Sequence, residues 1–277
     1  MQRSDFVEIV ARALVEDLGA QGDITSDACV PQTAESGGDL VARGAGVIAG
    51  LEVASYVFEA LDPSLTFTPV LVDGERVGPG DRLAGVSGPS RSILSGERTA
   101  LNLLGRMSGV ATATAELVEA VSGTGVRISD TRKTMPGLRA IDKYAVRVGG
   151  GMNHRFGLYD AVLIKDNHLV AAGGIASAVA AARAAVGPGV MIEVEVEDLG
   201  QLAQALETDA DRVLLDNIGP KLLREAVEMV GGRMTTEASG GVTRDNVRLL
   251  AETGVDIISV GWLTHSAPQL DIGLDFT

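Results

Sequence analysis

The stretch VMIEVEVEDLGQLAQALETDADRVLLDN, residues 190–217, contains one strand–helix–strand unit. Its first predicted strand, Val190–Val196, is rich in β-branched residues, and a Leu- and Ala-rich segment separates it from a second strand, Arg212–Leu215. Polar residues follow each strand at once, as Glu197-Asp198 and Asp216-Asn217. Repetition of such a unit predicts a parallel sheet, because parallel neighbours need a crossover connection.

The same pattern recurs on both sides of this stretch, after about residue 110. Predicted strands that end in polar residues or glycine alternate there with Ala- and Leu-rich helices. The strands are Val126–Ser129, Ala161–Ile164, Val190–Val196, Arg212–Leu215, Met234–Glu237 and Asp256–Val260. Such units predict a parallel α/β barrel with its site at the C-terminal ends of the strands. A complete eight-stranded barrel needs about 250 residues, so this shorter region predicts an open, incomplete barrel.

The residues before the barrel follow a different pattern. Residues 5–18 place apolar side chains at helical spacing, with Ser4 as the predicted N-cap and Gly19 as the end. From Asp39 to Ser90, short β-prone runs alternate with turn signals, which indicates a compact region containing a sheet. Ser95 is the predicted N-cap of the helix that joins this region to the barrel.

Composition argues against several classes of partner. The formal net charge is −14, which disfavours binding to nucleic acid or to an anionic membrane, since both need a positive field. Cys29 is the only cysteine, so no internal disulfide forms, which fits a reducing cytoplasm. The longest uncharged stretch, Asn167–Ala182, is shorter than the ~20 residues that a membrane span needs. We therefore expect a cytoplasmic protein with no nucleic-acid or membrane partner.

Positive charge is concentrated in residues 125–168, where eight Lys or Arg residues stand against four acids. That segment has a net charge of +4, which leaves −18 on the remainder. Some of these cations suit solvated helix faces, but Arg132, Lys133 and Lys165 directly follow predicted strands. Two cations about 4 Å apart repel by about 4 kcal/mol at an effective dielectric of 20, so bound anions or buried acids must offset them. The pattern indicates a polyanionic small ligand.

Glycines follow the last two predicted strands, as Ser239-Gly240-Gly241 and as Gly261. In this position of a barrel, glycines let backbone N–H groups approach a phosphate. Elsewhere the same three residues would indicate an ordinary tight turn. The position in the barrel therefore favours a phosphate site.

Carboxylates alternate along the third predicted strand, so Glu193 and Glu195 share one face, and Asp216 ends the next strand. If that face is the barrel interior, these groups hold Mg²⁺ together with substrate oxygens, or accept hydrogen bonds from ribose hydroxyls. The alternative for Glu193 is a buried partner of Arg132 or Lys165.

The stretch DTRKTMPGLRAIDKYAVRVGGGMNHRFGLYDAVLIKDNH, residues 130–168, closely resembles quinolinate phosphoribosyltransferases. Met135 departs from the family pattern, where Thr is expected. The resemblance covers nearly the whole chain, with motifs in the same order. The further motifs are EDLGAQGDITSD near the start, GERTALNLLGRMSG at 96–109, IEVEV at 192–196, LLDN at 214–217, EASGGV at 237–242 and SVGWLTHSAP at 259–268.

The resemblance implies both fold and activity. The expected fold is α/β, with an N-terminal α/β sandwich domain in residues 1–109, an open α/β barrel with the active site in residues 110–263, and a tail, residues 264–277, that packs back on the first domain. The expected activity is transfer of phosphoribosyl from phosphoribosyl pyrophosphate to quinolinate with decarboxylation. The products are nicotinate mononucleotide, pyrophosphate and carbon dioxide, and the step belongs to NAD biosynthesis. The resemblance also implies Mg²⁺ and a homodimer or higher homo-oligomer with a shared active site.

The resemblance implies roles for individual residues. Those expected at the quinolinate carboxylates are Arg132, His154, Arg155 and Lys165, with Arg98 supplied by a second subunit. Those expected at phosphoribosyl pyrophosphate are Lys133, Lys165, Glu195 and Asp216, the last two also at Mg²⁺. These four are the expected catalytic residues. Those expected at the 5-phosphate are Ser239, Gly240, Gly241, Gly261 and His265.

The chemistry of these residue types agrees with the resemblance. Planar guanidinium groups match carboxylates in bidentate geometry, which suits a dianion. The sequence offers no Ser–His or Cys–His nucleophile, so catalysis is expected to rest on positioning and electrostatics. One alternative is a related phosphoribosyltransferase that acts on another pyridine or base. The other is a non-catalytic phosphate- or nucleotide-sensing barrel, which would not need Arg98, Arg155 and Glu195 together.

Overall fold

The computed structural model describes residues 1–276, which divide into two compact units. The helices are α1 (Val7–Leu18), α2 (Ile24–Cys29), α3 (Leu51–Leu61), α4 (Ser90–Ala120), α5 (Arg139–Val148), α6 (Asp166–Ala172), α7 (Ile175–Ala185), α8 (Leu199–Ala205), α9 (Pro220–Val230), α10 (Val247–Ala251) and α11 (Trp262–His265). The strands are β1 (Glu35–Ala42), β2 (Gly46–Val47), β3 (Thr66–Pro69), β4 (Arg76–Val77), β5 (Arg82–Pro89), β6 (Arg127–Ser129), β7 (Val162–Ile164), β8 (Ile192–Val196), β9 (Arg212–Asp216), β10 (Thr235–Ser239), β11 (Ile257–Ser259) and β12 (Ile272–Phe276).

The first unit comprises residues 1–115, 134–150 and 262–276. An antiparallel sheet in the order β12-β1-β5-β3 pairs the C-terminal strand with β1, and β2 pairs with β4. Residues 134–150, which the sequence prediction included in the barrel region 110–263, cluster with this unit instead. The reason is packing, because Ile141, Ala145 and Val146 of α5 are buried in the hydrophobic core of this unit.

Two predicted helix starts in the first unit are wrong. Helix α1 begins at Val7, and Ser4 lies in a short 3-10 turn, Arg3–Asp5. Phe6 takes the N-cap position because its ring is buried in the core, and this burial outweighs the gain from a polar cap. The predicted end of α1 at Gly19 is confirmed. Ser95 lies inside α4, and its hydroxyl donates to Asp23, the side-chain cap of α2.

The second unit comprises residues 116–133 and 151–261, with a parallel sheet in the order β6-β11-β10-β9-β8-β7. All six predicted strands are confirmed, with ends that shift by at most two residues. Within residues 1–276, the edge strands β6 and β7 do not pair with each other, so the predicted open, incomplete barrel is also confirmed. The C-terminal ends of all six strands lie at one edge of this sheet, called here the C-terminal edge.

In the described part of the chain, no single helix is both long and apolar enough to cross a membrane. By length and composition, α6 and α7 pass that test only as a pair, and a 90° bend separates them.

Candidate active site

The register of the sheet in the second unit explains why distant parts of the sequence meet. Asp216 ends β9 opposite Ser239 at the end of β10, and Glu195 of β8 lies opposite Leu214 of β9. Because side chains alternate along a strand, Leu214 and Asp216 point to the same face of the sheet. Lys165 follows β7 directly. Cationic residues, acidic residues and glycines from distant parts of the sequence therefore lie at the same C-terminal edge.

Two arginines near this edge have unmet hydrogen-bond donors. The Nε atoms of Arg132 and Arg155 are buried and, within the described residues, donate no hydrogen bond. Arg155 Nη1 donates to the Ala161 carbonyl at 3.1 Å. Burial, and then the charge of Arg132, lower the pKa of the Arg155 guanidinium. Buried donors and repelling charges are costly without an anion, so an anion beside this pair would stabilise it.

A buried carboxylate that the sequence did not reveal as functional holds the loop carrying Arg155. Asp130 Oδ1 accepts from the backbone N–H of His154 at 2.9 Å, and Asp130 Oδ2 accepts from Asn153 Nδ2 at 2.5 Å. The backbone N–H of Asp130 in turn donates to the Met152 carbonyl at 3.1 Å. Asp130 thus fixes residues 152–154 against the end of β6. Its place in the DTRK motif was the only sequence signal for this role.

Lys165 and Glu195 form an ion pair at the C-terminal edge. The Lys165 side chain is 45% exposed and that of Glu195 is 10% exposed, so the pair stays open to a ligand on the lysine side. Of the two strand glutamates considered as partners for a cation, Glu195 rather than Glu193 contacts Lys165. Asp216 is partly exposed, and its Oδ2 accepts from Asn217 Nδ2 at 2.7 Å.

The turn after β10 has a backbone that only glycine fits. Gly240 has φ +93°, and a Cβ there would lie 2.1 Å from Asn217 Oδ1. Asn217 itself adopts a positive φ of 54°, and its backbone N–H donates to the Ser239 carbonyl at 2.9 Å. Asn246 Nδ2 donates to the Gly241 carbonyl at 2.9 Å. Glycine at this strand end lets a phosphate approach the backbone closely.

His154 belongs to a buried charged cluster. Its Nε2 lies 2.9 Å from Glu193 Oε2 and 3.5 Å from Glu237 Oε1, and Arg212 Nη1 donates to Glu237 Oε2 at 3.0 Å. Burial, followed by the charge of Glu193, raises the pKa of Glu237 to about 7. Burial lowers the pKa of His154, but the contact with Glu193 and the charge of Glu237 outweigh it and raise that pKa. Both shifts follow from the burial of these groups and from the charges that they place beside one another.

The other predicted site residues are distributed over both units. Lys133 is exposed, with its backbone N–H bonded to Thr131 Oγ1 at 2.9 Å, and Gly261 follows β11 directly. Both belong to the second unit, whereas Arg98 and His265 belong to the first. His265 Nδ1 lies 2.5 Å from Ser266 Oγ.

Arg98 lies on α4 and is well exposed. Its side chain is 64% exposed, and Nη2 lies 3.8 Å from Glu97 Oε1. It lines a groove of about 560 Å³ in the first unit, between α1, α4 and the segment Pro136–Leu138. The acids on the α1 side of this groove are Asp5, Glu8, Glu16 and Asp17.

Comparison with known proteins gives consistent matches over the chain. The family descriptions "Quinolinate phosphoribosyl transferase, N-terminal domain" and "C-terminal domain" match residues 23–108 and 110–275. The chain is 46% identical to nicotinate-nucleotide pyrophosphorylase [carboxylating] of Mycobacterium leprae, over 97% of this chain and 96% of that protein. It is 42% identical to the probable enzyme of that name from Bacillus subtilis, over 100% and 95%. The solved structure of the nicotinate-nucleotide pyrophosphorylase from Francisella tularensis is 38% identical, with a TM-score of 0.95 over 100% of this chain and 98% of that one.

Proposed function

We propose that this chain, which belongs to the quinolinate phosphoribosyltransferase family, transfers phosphoribosyl from phosphoribosyl pyrophosphate to quinolinate and removes one carboxylate. The products are nicotinate mononucleotide, pyrophosphate and carbon dioxide, and the step belongs to NAD biosynthesis. The single observation in this chain that carries the proposal is the pair of buried, unmet guanidinium donors of Arg132 and Arg155.

The quinolinate dianion matches that pair in charge. A planar guanidinium can present parallel donors to a carboxylate, and the bound charge would remove the repulsion between the two arginines. Lys165, which is already paired with Glu195, adds a third cation at the same edge. A ligand with one carboxylate would leave part of this charge unmatched, so we infer that the site selects the diacid.

The reaction needs positioning and charge stabilisation rather than a covalent nucleophile. The ring nitrogen of quinolinate forms a bond to the anomeric carbon of ribose, and the electron pair of the breaking C–O bond leaves with pyrophosphate. Glu195 and Asp216 stabilise the positive charge that develops on the ribose, and Lys133 and Lys165 stabilise the departing pyrophosphate. The pyridinium ring then accepts the electron pair of the 2-carboxylate as carbon dioxide leaves, and a proton takes its place.

The donor set at the C-terminal edge fits Mg²⁺. Glu195 and Asp216 supply hard oxygen ligands, and the partial exposure of Asp216 leaves room for substrate oxygens and water to complete the coordination. When bound, Mg²⁺ would neutralise charge on the pyrophosphate oxygens. The binding of the 5-phosphate falls to Ser239, Gly240, Gly241, Gly261 and His265.

We infer a homodimer in which Arg98 of one subunit completes the site of the other. The family resemblance motivates this arrangement, and three features of the first unit support it. Arg98 is exposed, it lines a large groove, and the flank of that groove on α1 is acidic, which suits a basic surface on a partner. A two-fold dimer makes such sharing reciprocal and gives two equivalent sites.

A cytoplasmic location remains our expectation from the sequence. Cys29, the only cysteine, is an exposed free thiol, and this state needs no oxidising compartment. The net charge of −14 likewise gives no reason to expect nucleic-acid or membrane partners.

The direct experiment follows both leaving groups. Purified protein with quinolinate, phosphoribosyl pyrophosphate and Mg²⁺ should release carbon dioxide and pyrophosphate in equal amounts. Lys165→Ala should abolish this release, and Lys221→Ala, an exposed lysine on α9, should not change it. Pyrophosphate release without carbon dioxide would identify a different base as the substrate, and no release of either product would overturn the proposal.

A further inference from the structure

A buried set of ionisable side chains in the second unit is not used by the reaction described above. Glu193, Arg212 and Glu237 lie on the adjacent strands β8, β9 and β10, and both glutamates are fully buried. They surround the Nε2 side of His154, and Arg212 is hydrogen-bonded to Glu237. Burial of two carboxylates is costly, and apolar residues at these positions would avoid that cost. We therefore look for a functional reason for these charged residues.

The other side of the His154 ring contacts the main chain. Nδ1 accepts a hydrogen bond from the backbone N–H of Arg155 at 2.8 Å. A ring nitrogen that accepts carries no proton, so the proton of the neutral ring lies on Nε2, which faces the two carboxylates. In the neutral ring, Glu193 and Glu237 therefore favour the tautomer whose Nδ1 can accept from the Arg155 backbone N–H.

This tautomer has a consequence for Arg155. The backbone N–H of His154, the residue before Arg155, donates to Asp130, and Nη1 of the Arg155 guanidinium donates to the Ala161 carbonyl. The backbone N–H of Arg155 itself is fixed by its hydrogen bond to His154 Nδ1. Small displacements of a charged binding group cost much affinity, because a bidentate contact tolerates little misalignment.

We propose that Glu193, Glu237 and Arg212 are positioning residues that hold His154 as its Nε2–H tautomer, so that Nδ1 fixes the main chain of Arg155 and aims its guanidinium at a quinolinate carboxylate. His154 then acts through Arg155 rather than on the substrate. Arg212 balances the charge of Glu237, and Nε2 lies 2.9 Å from Oε2 of the other carboxylate, Glu193. The inference rests on the proposed role of Arg155 in binding quinolinate.

A metal ion is the main competing occupant of this cluster. The ligand atoms of His154, Glu193 and Glu237 all lie within 4.8 Å of one another, a spacing that suits a metal. Ligation through Nε2 would move the ring proton to Nδ1 and break the bond to the Arg155 backbone. It would also place a cation near Arg212, which is bonded to Glu237. Both effects favour the proton over the metal.

The tautomer is directly observable in the wild-type protein. The chain has three histidines, so long-range ¹⁵N–¹H spectra of the rings are simple, and His154→Asn assigns the signal. We expect His154 to show a protonated Nε2 and an unprotonated Nδ1. A protonated Nδ1 would overturn the proposal, as would a stoichiometric metal in the purified protein that Glu193→Gln removes.

Substitutions separate positioning from a structural role. In Glu193→Gln and Glu237→Gln, KM for quinolinate should rise about tenfold, while KM for phosphoribosyl pyrophosphate and kcat change less than about twofold. Glu228→Gln, an exposed glutamate on α9, is the matched control and should change nothing. If both KM values and kcat change together, the cluster serves the fold and the proposal is wrong.

A pair of substitutions at His154 sharpens the test. The Asn side-chain oxygen can take the place of Nδ1 and accept from the Arg155 N–H, whereas the longer Gln side chain directs its polar atoms towards the Nε2 position. His154→Asn should therefore bind quinolinate at least about fivefold more tightly than His154→Gln. Equal loss in both variants would contradict positioning through Nδ1. If wild type binds no quinolinate at all, the proposed function fails, whatever tautomer the spectra show.

Discussion

Replacement of Arg132 by Met separates ligand binding from stability most clearly. The change removes one charge and one buried Nε donor that is unmet in the described residues. A charge-assisted hydrogen bond is worth about 1.5–3 kcal/mol, so the dissociation constant of quinolinate should rise about 10- to 150-fold. An unmet buried donor costs about 1–3 kcal/mol, and its removal should hold or raise the free energy of unfolding. Relief of the repulsion with Arg155 acts in the same direction.

Isothermal titration with quinolinate and thermal unfolding without ligand measure the two effects on the same samples. Arg127→Met is the matched control, because Arg127 is exposed at the opposite, N-terminal end of β6. This control should leave quinolinate affinity unchanged. If Arg132→Met binds quinolinate as wild type does and unfolds at a lower temperature, Arg132 is a structural ion-pair partner and the reasoning is refuted.

Three further predictions concern the rest of the site. Glu195→Gln and Asp216→Asn should bind quinolinate within about threefold of wild type by calorimetry but lower kcat at least about 100-fold, because they act on charge that develops in the transition state. Gly240→Ala should raise KM for phosphoribosyl pyrophosphate at least about tenfold, since a Cβ there meets Asn217 at a positive φ. Arg98→Ala and Lys165→Ala, each nearly inactive alone, should recover activity towards half of wild type per dimer when subunits are exchanged, because one site then collects both defects.

Each of these predictions has a distinct contrary outcome. Lost quinolinate binding with normal turnover in the amide variants would reverse the assigned roles. Gly232→Ala is the control for Gly240→Ala, because Gly232 also has a positive φ but faces open space. An equal rise in KM for phosphoribosyl pyrophosphate in both variants would contradict a phosphate site at the turn after β10. Mixed dimers that form demonstrably yet recover no activity would show that Arg98 acts within its own chain or not at all.

The second unit was the more predictable part of the fold, for a physical reason. Its strands are short runs rich in β-branched or apolar residues, and polar residues or glycine follow them, so local sequence identifies both the strand and its C-terminal end. The helix starts in the first unit were less predictable. Burial of Phe6 displaced the expected cap at Ser4, and α4 continues through Ser95. Such effects depend on tertiary packing, which a sequence window does not contain.

The same division holds for the candidate site. The end of β7 identifies Lys165 in the sequence as a candidate, and the alternation of charged and apolar residues along β8 identifies Glu195, with which Lys165 forms an ion pair. The supporting groups were not visible. Glu237 and Arg212 lie inside strands, and their role depends on which residues face them across the sheet. Asp130 stands out in the sequence only as part of the DTRK motif, and its hydrogen bonds to residues 153 and 154 are visible only in the structure.

Substrate discrimination tests the central claim most directly, because that claim is that clustered cations select a dianion. The measurement is kcat/KM for quinolinate and for nicotinate, with phosphoribosyl pyrophosphate and Mg²⁺ held saturating. Loss of one charge-assisted carboxylate contact costs about 1.5–3 kcal/mol, so quinolinate should be preferred at least about tenfold. Use of nicotinate with equal or better efficiency would contradict the claim.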